Sequence, residues 1–261
     1  MSTKHHSSRP ALSSGEVHLW SLPDDPSCLD RLRVEGIGLL SASENQRFND
    51  FKHPHTAERF LLGRILLRKV LAQYLDMNPA AFEFYINKNG KPELDQSIAQ
   101  GLSFNLSHTA ATVVLAVAQV PAIGIDIETV ARAGKAYRIA QHFFSPLEQR
   151  RLRVAGKARA HQALMLWGLK ESIAKAQGCT IWRALTNVSL AIEGPRIRWL
   201  FPPGEDGLIW RLAAGNFRKD FVFSLARALP PDQADEPLRV RTFRLGTNSL
   251  GKNAFELVCR S

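Results

Sequence analysis

The sequence predicts a mixed α/β (α+β) chain of two similar lobes, and three observations predict it. Apolar residues recur at helical spacing in some stretches and alternate, strand-like, in others. The order of elements, strand then helices then several strands, occurs once before about residue 120 and again after it. With 261 residues and 45% hydrophobic content, the chain can bury one large core or two small ones. The expected division is a disordered tail over 1–15, an N-terminal lobe over 16–120 and a C-terminal lobe over 121–261.

Taken in order, Glu16 to Trp20 reads as a short strand, and Ser43-Glu44 opens a helical stretch through Phe51. A longer helix from about His55 to Leu75 carries Phe60, Leu61, Ile65, Leu66, Val70 and Leu71 at helical spacing. Phe82 to Ile86 reads as a strand, Asn89-Gly90 as a hairpin turn, and Leu102 to Leu106 and Thr112 to Ala118 as further strands. The pattern restarts with a strand over Ala122 to Ile127 and helical segments after it. Ser145-Pro146-Leu147-Glu148 has the form of a capping box with proline at the first helical position. A long helix from about Ala158 to Gln177 ends at Gly178. Strands are expected over Val188 to Ile192, Ile197 to Phe201, Leu208 to Leu212, Phe221 to Ala226 and Arg239 to Phe243.

Composition narrows the function classes. The N-terminal stretch lacks the apolar core of a secretory signal, and no apolar run approaches membrane-spanning length, so a cytoplasmic, soluble protein is expected. Cys28, Cys179 and Cys259 are few, odd in number and far apart, as reduced thiols would be. A net charge of +10 and a pI near 9.9 favour anionic partners. That charge is spread along the chain without a zinc-finger or aromatic RNA-binding motif, which argues against a nucleic-acid-binding protein.

Three constellations carry chemistry. Residues two apart on a strand face the same way, so Asp126 and Glu128 project together while Ile125 and Ile127 point into an apolar layer. Such a pair is a common solvated strand end, and also a site for a hard divalent cation such as Mg²⁺. Trp167, Glu171 and Lys175 lie on one stripe of the long helix, an arrangement as ordinary alone as a surface ion pair beside a core tryptophan. Phe104-Asn105-Leu106-Ser107-His108 ends a strand in two side chains able to donate hydrogen bonds to phosphate oxygens.

Together these residues resemble the 4′-phosphopantetheinyl transferase superfamily. The resemblance rests on Ile123-Gly124-Ile125-Asp126 followed well downstream by Trp167-Gly168-Leu169-Lys170-Glu171-Ser172-Ile173-Ala174-Lys175. Gly90-Lys91-Pro92, the Asn105-Leu106-Ser107-His108 stretch and the Asp126-Ile127-Glu128 form of the metal strand are similar to its larger, surfactin-synthetase-activating class. The likeness covers roughly Ser41 to Gly178, and the remainder shares only its richness in strands.

The resemblance implies a monomer of two lobes related by a pseudo-twofold axis, with coenzyme A in the cleft between them. It implies attack of a carrier-protein serine on the β-phosphorus of coenzyme A, releasing 3′,5′-adenosine bisphosphate. Asp126, Glu128 and Glu171 would hold Mg²⁺, with Glu171 also placed as the base and Lys175 beside the pyrophosphate. Ser107 and His108 would bind phosphate oxygens, Gly90, Lys91 and Pro92 would border the adenine, and Arg47 and Arg59 would surround the 3′-phosphate. Glu44 and Phe60 depart from the family pattern there, where a basic residue and a threonine are usual, leaving Lys52, His53 or Arg64 to compensate. An acyl or peptidyl carrier protein, typically acidic, is the expected partner. A Mg²⁺-dependent phosphohydrolase acting on coenzyme A or another nucleotide is the alternative.

Overall fold

The computed structural model describes residues 10–109, 112–201, 207–246 and 255–261, so most of the expected 1–15 tail lies outside the described residues. The first half runs β1 (Glu16–Ser21), α1 (Pro26–Ile37), α2 (Ala42–Asn49), α3 (Pro54–Leu75), β2 (Tyr85–Ile86), β3 (Pro92–Glu93), α4 (Gln96–Ala99), β4 (Ser103–His108) and β5 (Val113–Ala118). The second runs β6 (Ala122–Thr129), α5 (Ala133–Phe143), α6 (Pro146–Val154), α7 (Arg159–Gln177), α8 (Ile181–Asn187), β7 (Ser189–Glu193), β8 (Arg196–Phe201), β9 (Ile209–Phe217), β10 (Phe221–Leu229), β11 (Arg239–Arg244) and β12 (Phe255–Arg260).

These strands form a four-stranded sheet ordered β11-β1-β5-β4, a six-stranded sheet ordered β6-β10-β9-β12-β8-β7, and the small β2-β3 hairpin. Alternation along each strand sorts side chains into layers. On β5, Val113, Leu115 and Val117 join α3 in one core, whereas Val114, Ala116 and Ala118 meet Ile123, Ile125, Phe223 and Leu225 of the second sheet. The far face of that second sheet, with Leu212, Val222 and Ala226, is covered by Leu166, Leu169 and Ile173 of α7. Helices thus cover the outer faces while the sheets share an apolar interior.

β4 and β6, the facing edges of the two sheets, run side by side in parallel. Among the described residues no backbone pairing joins them into one sheet. The Asn105 side-chain oxygen accepts from the Ile125 amide at 2.8 Å, and the Ser107 hydroxyl accepts from the Ile127 amide at 3.2 Å. Two polar side chains therefore satisfy edge amides that would otherwise be buried without partners.

Two capping boxes start helices where local chemistry directs. Ser145 and Glu148 cap α6 as expected, and Ser41 with Glu44 caps α2, two residues ahead of the expected start. Helix α1 is an addition to the expected order: Asp25 caps it and Pro26 begins it, but Val34 and Ile37 are exposed, so its apolar periodicity is weak. The expected strand from Phe82 shrinks to Tyr85–Ile86, because Phe82 follows a single 3-10 turn and is buried as a core residue. The largest difference is β11, which pairs in parallel with β1 and so places a strand of the 121–261 segment in the first sheet.

Helix α7 lies unusually close to β6. A Cβ on Gly124 would stand 1.9 Å from the Ser172 carbonyl oxygen and 2.7 Å from the Ala176 amide nitrogen. Helix backbone cannot rotate away as a side chain can, so glycine is required for this approach. Gly124→Ala is expected to destabilise the protein by about 3 kcal/mol, the upper part of the usual overpacking range. A urea midpoint matching that of the unaltered protein would contradict this close packing.

Candidate active site

The edge-to-edge junction of β4 and β6, with α7 behind it, brings the predicted carboxylates and lysine together. Lys175 Nζ lies 2.7 Å from Asp126 Oδ1, 3.0 Å from Ser107 Oγ and 3.2 Å from the Ile125 carbonyl oxygen. Ser107 donates to Asp126 Oδ1 at 3.1 Å while accepting from Lys175 and the Ile127 amide. A hydroxyl has one donor and two acceptor sites, so Ser107 is fully committed to holding the junction. In this arrangement it positions Asp126 and Lys175.

A cavity of about 390 Å³ is lined by Asp126, Glu128, Glu171, Lys175, Arg59, His108 and Arg132, among others. Both oxygens of Glu128 accept from Arg132 Nη1, each at 2.7 Å. Burial and the neighbouring Asp126 charge raise the Glu128 pKa, against the pull of Arg132. Burial likewise raises that of Glu171; Lys175 opposes the shift and the charges of Asp126 and Glu128 add to it. The protein wall around His108, with Arg59 and Lys175, lowers its pKa to about 4, leaving a neutral imidazole near pH 7.

These features fit a hard cation bound by oxygen. Asp126 Oδ2 is buried without a hydrogen-bond partner, and the carboxylates oppose one another's ionisation, a conflict that a divalent ion relieves. Among the described residues, no three histidine, cysteine or acidic side chains gather as a ready metal cage. Lys175 and Arg132 instead balance Asp126 and Glu128 from within the chain.

Arg59, His108 and Lys175 also line a second cavity of about 460 Å³, making the two parts of one cleft. Gly90, Lys91 and Pro92 form one wall of the second part, on a turn that Gly90 makes at φ +86°. Asn87 accepts from the Asn89 and Lys91 amides at 3.0 Å each, and Asn89 donates to the Gly178 carbonyl, tying the hairpin to the end of α7. Burial lowers the Lys91 pKa, with Glu93 opposing the shift.

Arg47, Phe60 and Arg64 occupy the opposite wall. The guanidinium carbons of Arg47 and Arg64 lie 5.4 and 5.2 Å from the Phe60 ring centre, within cation–π range. Glu44 is buried and serves as the counter-ion of Arg64, at 3.1 Å, and of Arg68, at 2.5 Å. The acidic and aromatic departures thus support a displaced arginine, Arg64, whose Nη1 is buried without a partner. Lys52 and His53 are exposed and stand outside this lining. The Arg64 signal lay in the sequence as a second basic residue one turn beyond Phe60, but only packing distinguishes it from its neighbour Arg68.

Lys170 and Lys175 belong to the same motif but point into different environments. Lys170 is fully buried, 3.0 Å from Glu148, donating also to the Val188 carbonyl and lying 5.1 Å from the Phe144 ring centre. It ties α7 to α6 and the start of β7. Trp167 is half-buried and packs against the α7 core.

Residues 122–226 match the family model described as the 4′-phosphopantetheinyl transferase superfamily, and residues 34–120 match that of the 4′-phosphopantetheinyl transferase N-terminal region. The chain is 37% identical over 171 residues to the 4′-phosphopantetheinyl transferase HetI of Nostoc sp., covering 64% of this chain and 70% of that protein. It is 30% identical over 178 residues to the 4′-phosphopantetheinyl transferase Sfp of Bacillus subtilis, covering 62% and 77%. A further 4′-phosphopantetheinyl transferase of Bacillus subtilis is 31% identical over 158 residues, covering 60% and 68%.

The buried lysine is separable from the cleft by experiment. Lys170→Met is expected to lower stability by about 3–5 kcal/mol, because it leaves Glu148 buried without its cation. Chemical denaturation checks this, and an unchanged midpoint would remove Lys170 from the structural ion pair.

Proposed function

This chain belongs to the 4′-phosphopantetheinyl transferase superfamily, and from that premise we propose how its cleft performs the reaction. The enzyme transfers the 4′-phosphopantetheine moiety of coenzyme A to a carrier protein. One observation carries the assignment of residues: three carboxylates and Lys175 line a cavity continuous with a basic, aromatic-walled one. The alternative of a phosphohydrolase finds no support in these matches.

Coenzyme A spans both parts of the cleft in this reading. Its adenine borders Gly90, Lys91 and Pro92, where the glycine turn lets backbone approach closely. Arg47, Arg59 and Arg64 receive the 3′-phosphate, Arg64 being held by Glu44 and stacked on Phe60. His108, neutral near pH 7, donates a hydrogen bond to a pyrophosphate oxygen, and Lys175 adds positive charge to the same bridge.

The serine hydroxyl of the carrier attacks the β-phosphorus, the new phosphorus–oxygen bond forms, and the bond to 3′,5′-adenosine bisphosphate breaks. Glu171 takes the serine proton. Its half-buried carboxylate, with pKa raised above the usual range, is better matched to that task than an exposed one. Mg²⁺ held by Asp126, Glu128 and Glu171 would supply neutralisation of the charge that develops on the leaving group. The enzyme acts as a monomer, and its net charge of +10 attracts an acidic acyl or peptidyl carrier protein. No helix of the described residues is long and apolar enough to cross a membrane.

Asp126→Ala and Glu171→Ala are each expected to abolish transfer while the protein remains folded. Mass spectrometry of an apo carrier incubated with coenzyme A and Mg²⁺ reads this directly, and near-normal modification by either variant would refute the assignment. Arg64→Ala is expected to raise the KM for coenzyme A roughly tenfold, the loss of one charge-assisted contact, with little effect on dephospho-coenzyme A. Equal losses with both substrates would place Arg64 outside the 3′-phosphate site.

A further inference from the structure

Arg132 has a place in the site that the roles above leave unexplained. It closes the turn Val130–Arg132 after β6, and the bonds from its Nη1 to Glu128 engage both carboxylate oxygens at once. The Arg132 side chain is 45% exposed, whereas that of Glu128 is 12% exposed. Arg132 therefore caps a nearly buried acid from the solvent side.

The two internal cations differ in how firmly they are held. Lys175 is bound by three oxygens, from Ser107, Ile125 and Asp126, within the junction of the sheets. Arg132 directs both of these bonds to Glu128 and sits on a short exposed turn. Solvent weakens an ion pair the more its members are exposed, and the Arg132 side chain is 45% exposed against 28% for Lys175. Asp126 keeps one buried oxygen, Oδ2, without a hydrogen-bond partner while Lys175 and Ser107 hold Oδ1, whereas Arg132 engages both oxygens of Glu128.

We propose that Arg132 is a latch on the cation site: it holds Glu128 in position until a divalent cation arrives and must release it for that cation to bind. Cation affinity is then set by competition between metal and guanidinium for the same two oxygens. This inference rests on the reading of Asp126 and Glu128 as cation ligands. Arg132 acts through Glu128 and is a positioning residue, so its signature lies in metal affinity itself.

Mn²⁺ binding followed by electron paramagnetic resonance, on the full chain with saturating coenzyme A and no carrier, tests the latch without turnover. Arg132→Gln is expected to bind Mn²⁺ roughly fivefold tighter than the unaltered protein, the equivalent of one modest ion pair. Arg132→Lys, which keeps the charge but loses the planar guanidinium, should fall between them, and Glu128→Gln should bind more weakly. Equal or weaker binding by Arg132→Gln, with Glu128→Gln still impaired, would overturn the latch and leave the ligand assignment standing. Unimpaired binding by Glu128→Gln would overturn both, while transfer to an apo carrier would still report independently on the enzyme's activity.

Discussion

The junction between β4 and β6 is the constraint on which the rest of the molecule depends. Two sheet edges meet there, and Asn105 and Ser107 take up edge amides through their side chains. A continuous backbone ladder would have fused the sheets and closed the space at the strand ends. The side-chain seam joins them and lets Asp126, Glu128 and His108 open into one cleft. Ser107 is the hinge of this arrangement, because the same hydroxyl that fixes the Ile127 amide also orients Asp126 and Lys175.

Close approach of α7 to β6 completes the site. Gly124 and Gly168 have no Cβ to keep helix and strand apart, and an added Cβ on Gly168 would stand 2.6 Å from Ser224 Oγ. Glu171 and Lys175 are thereby carried to the Asp126 side of the helix, whereas Lys170 is directed to Glu148. One helix thus supplies both a structural cation and a cleft cation. Their separation follows from the 3.6-residue period: five positions do not return to the same face, while four nearly do.

Electrostatic balance governs the cleft before substrate arrives. Lys175 answers Asp126 and Arg132 answers Glu128, while burial raises the Glu171 pKa and the charges of Asp126 and Glu128 add to the rise. In the basic wall Glu44 plays the inverse part, one buried acid between two buried arginines. Its apparent mismatch to an anion-binding role disappears once Arg64 and Arg68 are seen around it. A buried charge is retained where a partner of opposite sign stabilises it, and Glu44, Arg64 and Arg68 stand in that relation.

Much of the fold could be read from local signals. The α3 and α7 periodicities, the Ser145–Glu148 capping box, Gly178 at the end of α7 and the Asn89-Gly90 turn all use chemistry confined to neighbouring residues. Helix α1 was obscured by its exposed apolar residues, and the Phe82 strand by a side chain that serves the core without belonging to a ladder. The site was legible as residue types and spacings: Asp126 and Glu128 on one face, Glu171 and Lys175 one turn apart. By itself the sequence determined these faces and turns, because strand and helix periods act over a few residues. Only the tertiary structure decided that Ser107 binds the junction, that Arg132 caps Glu128, that Glu44 faces Arg64, and that β11 returns to β1. Those pairings join residues according to which edges and faces the packed layers leave in reach, and no local period encodes that choice.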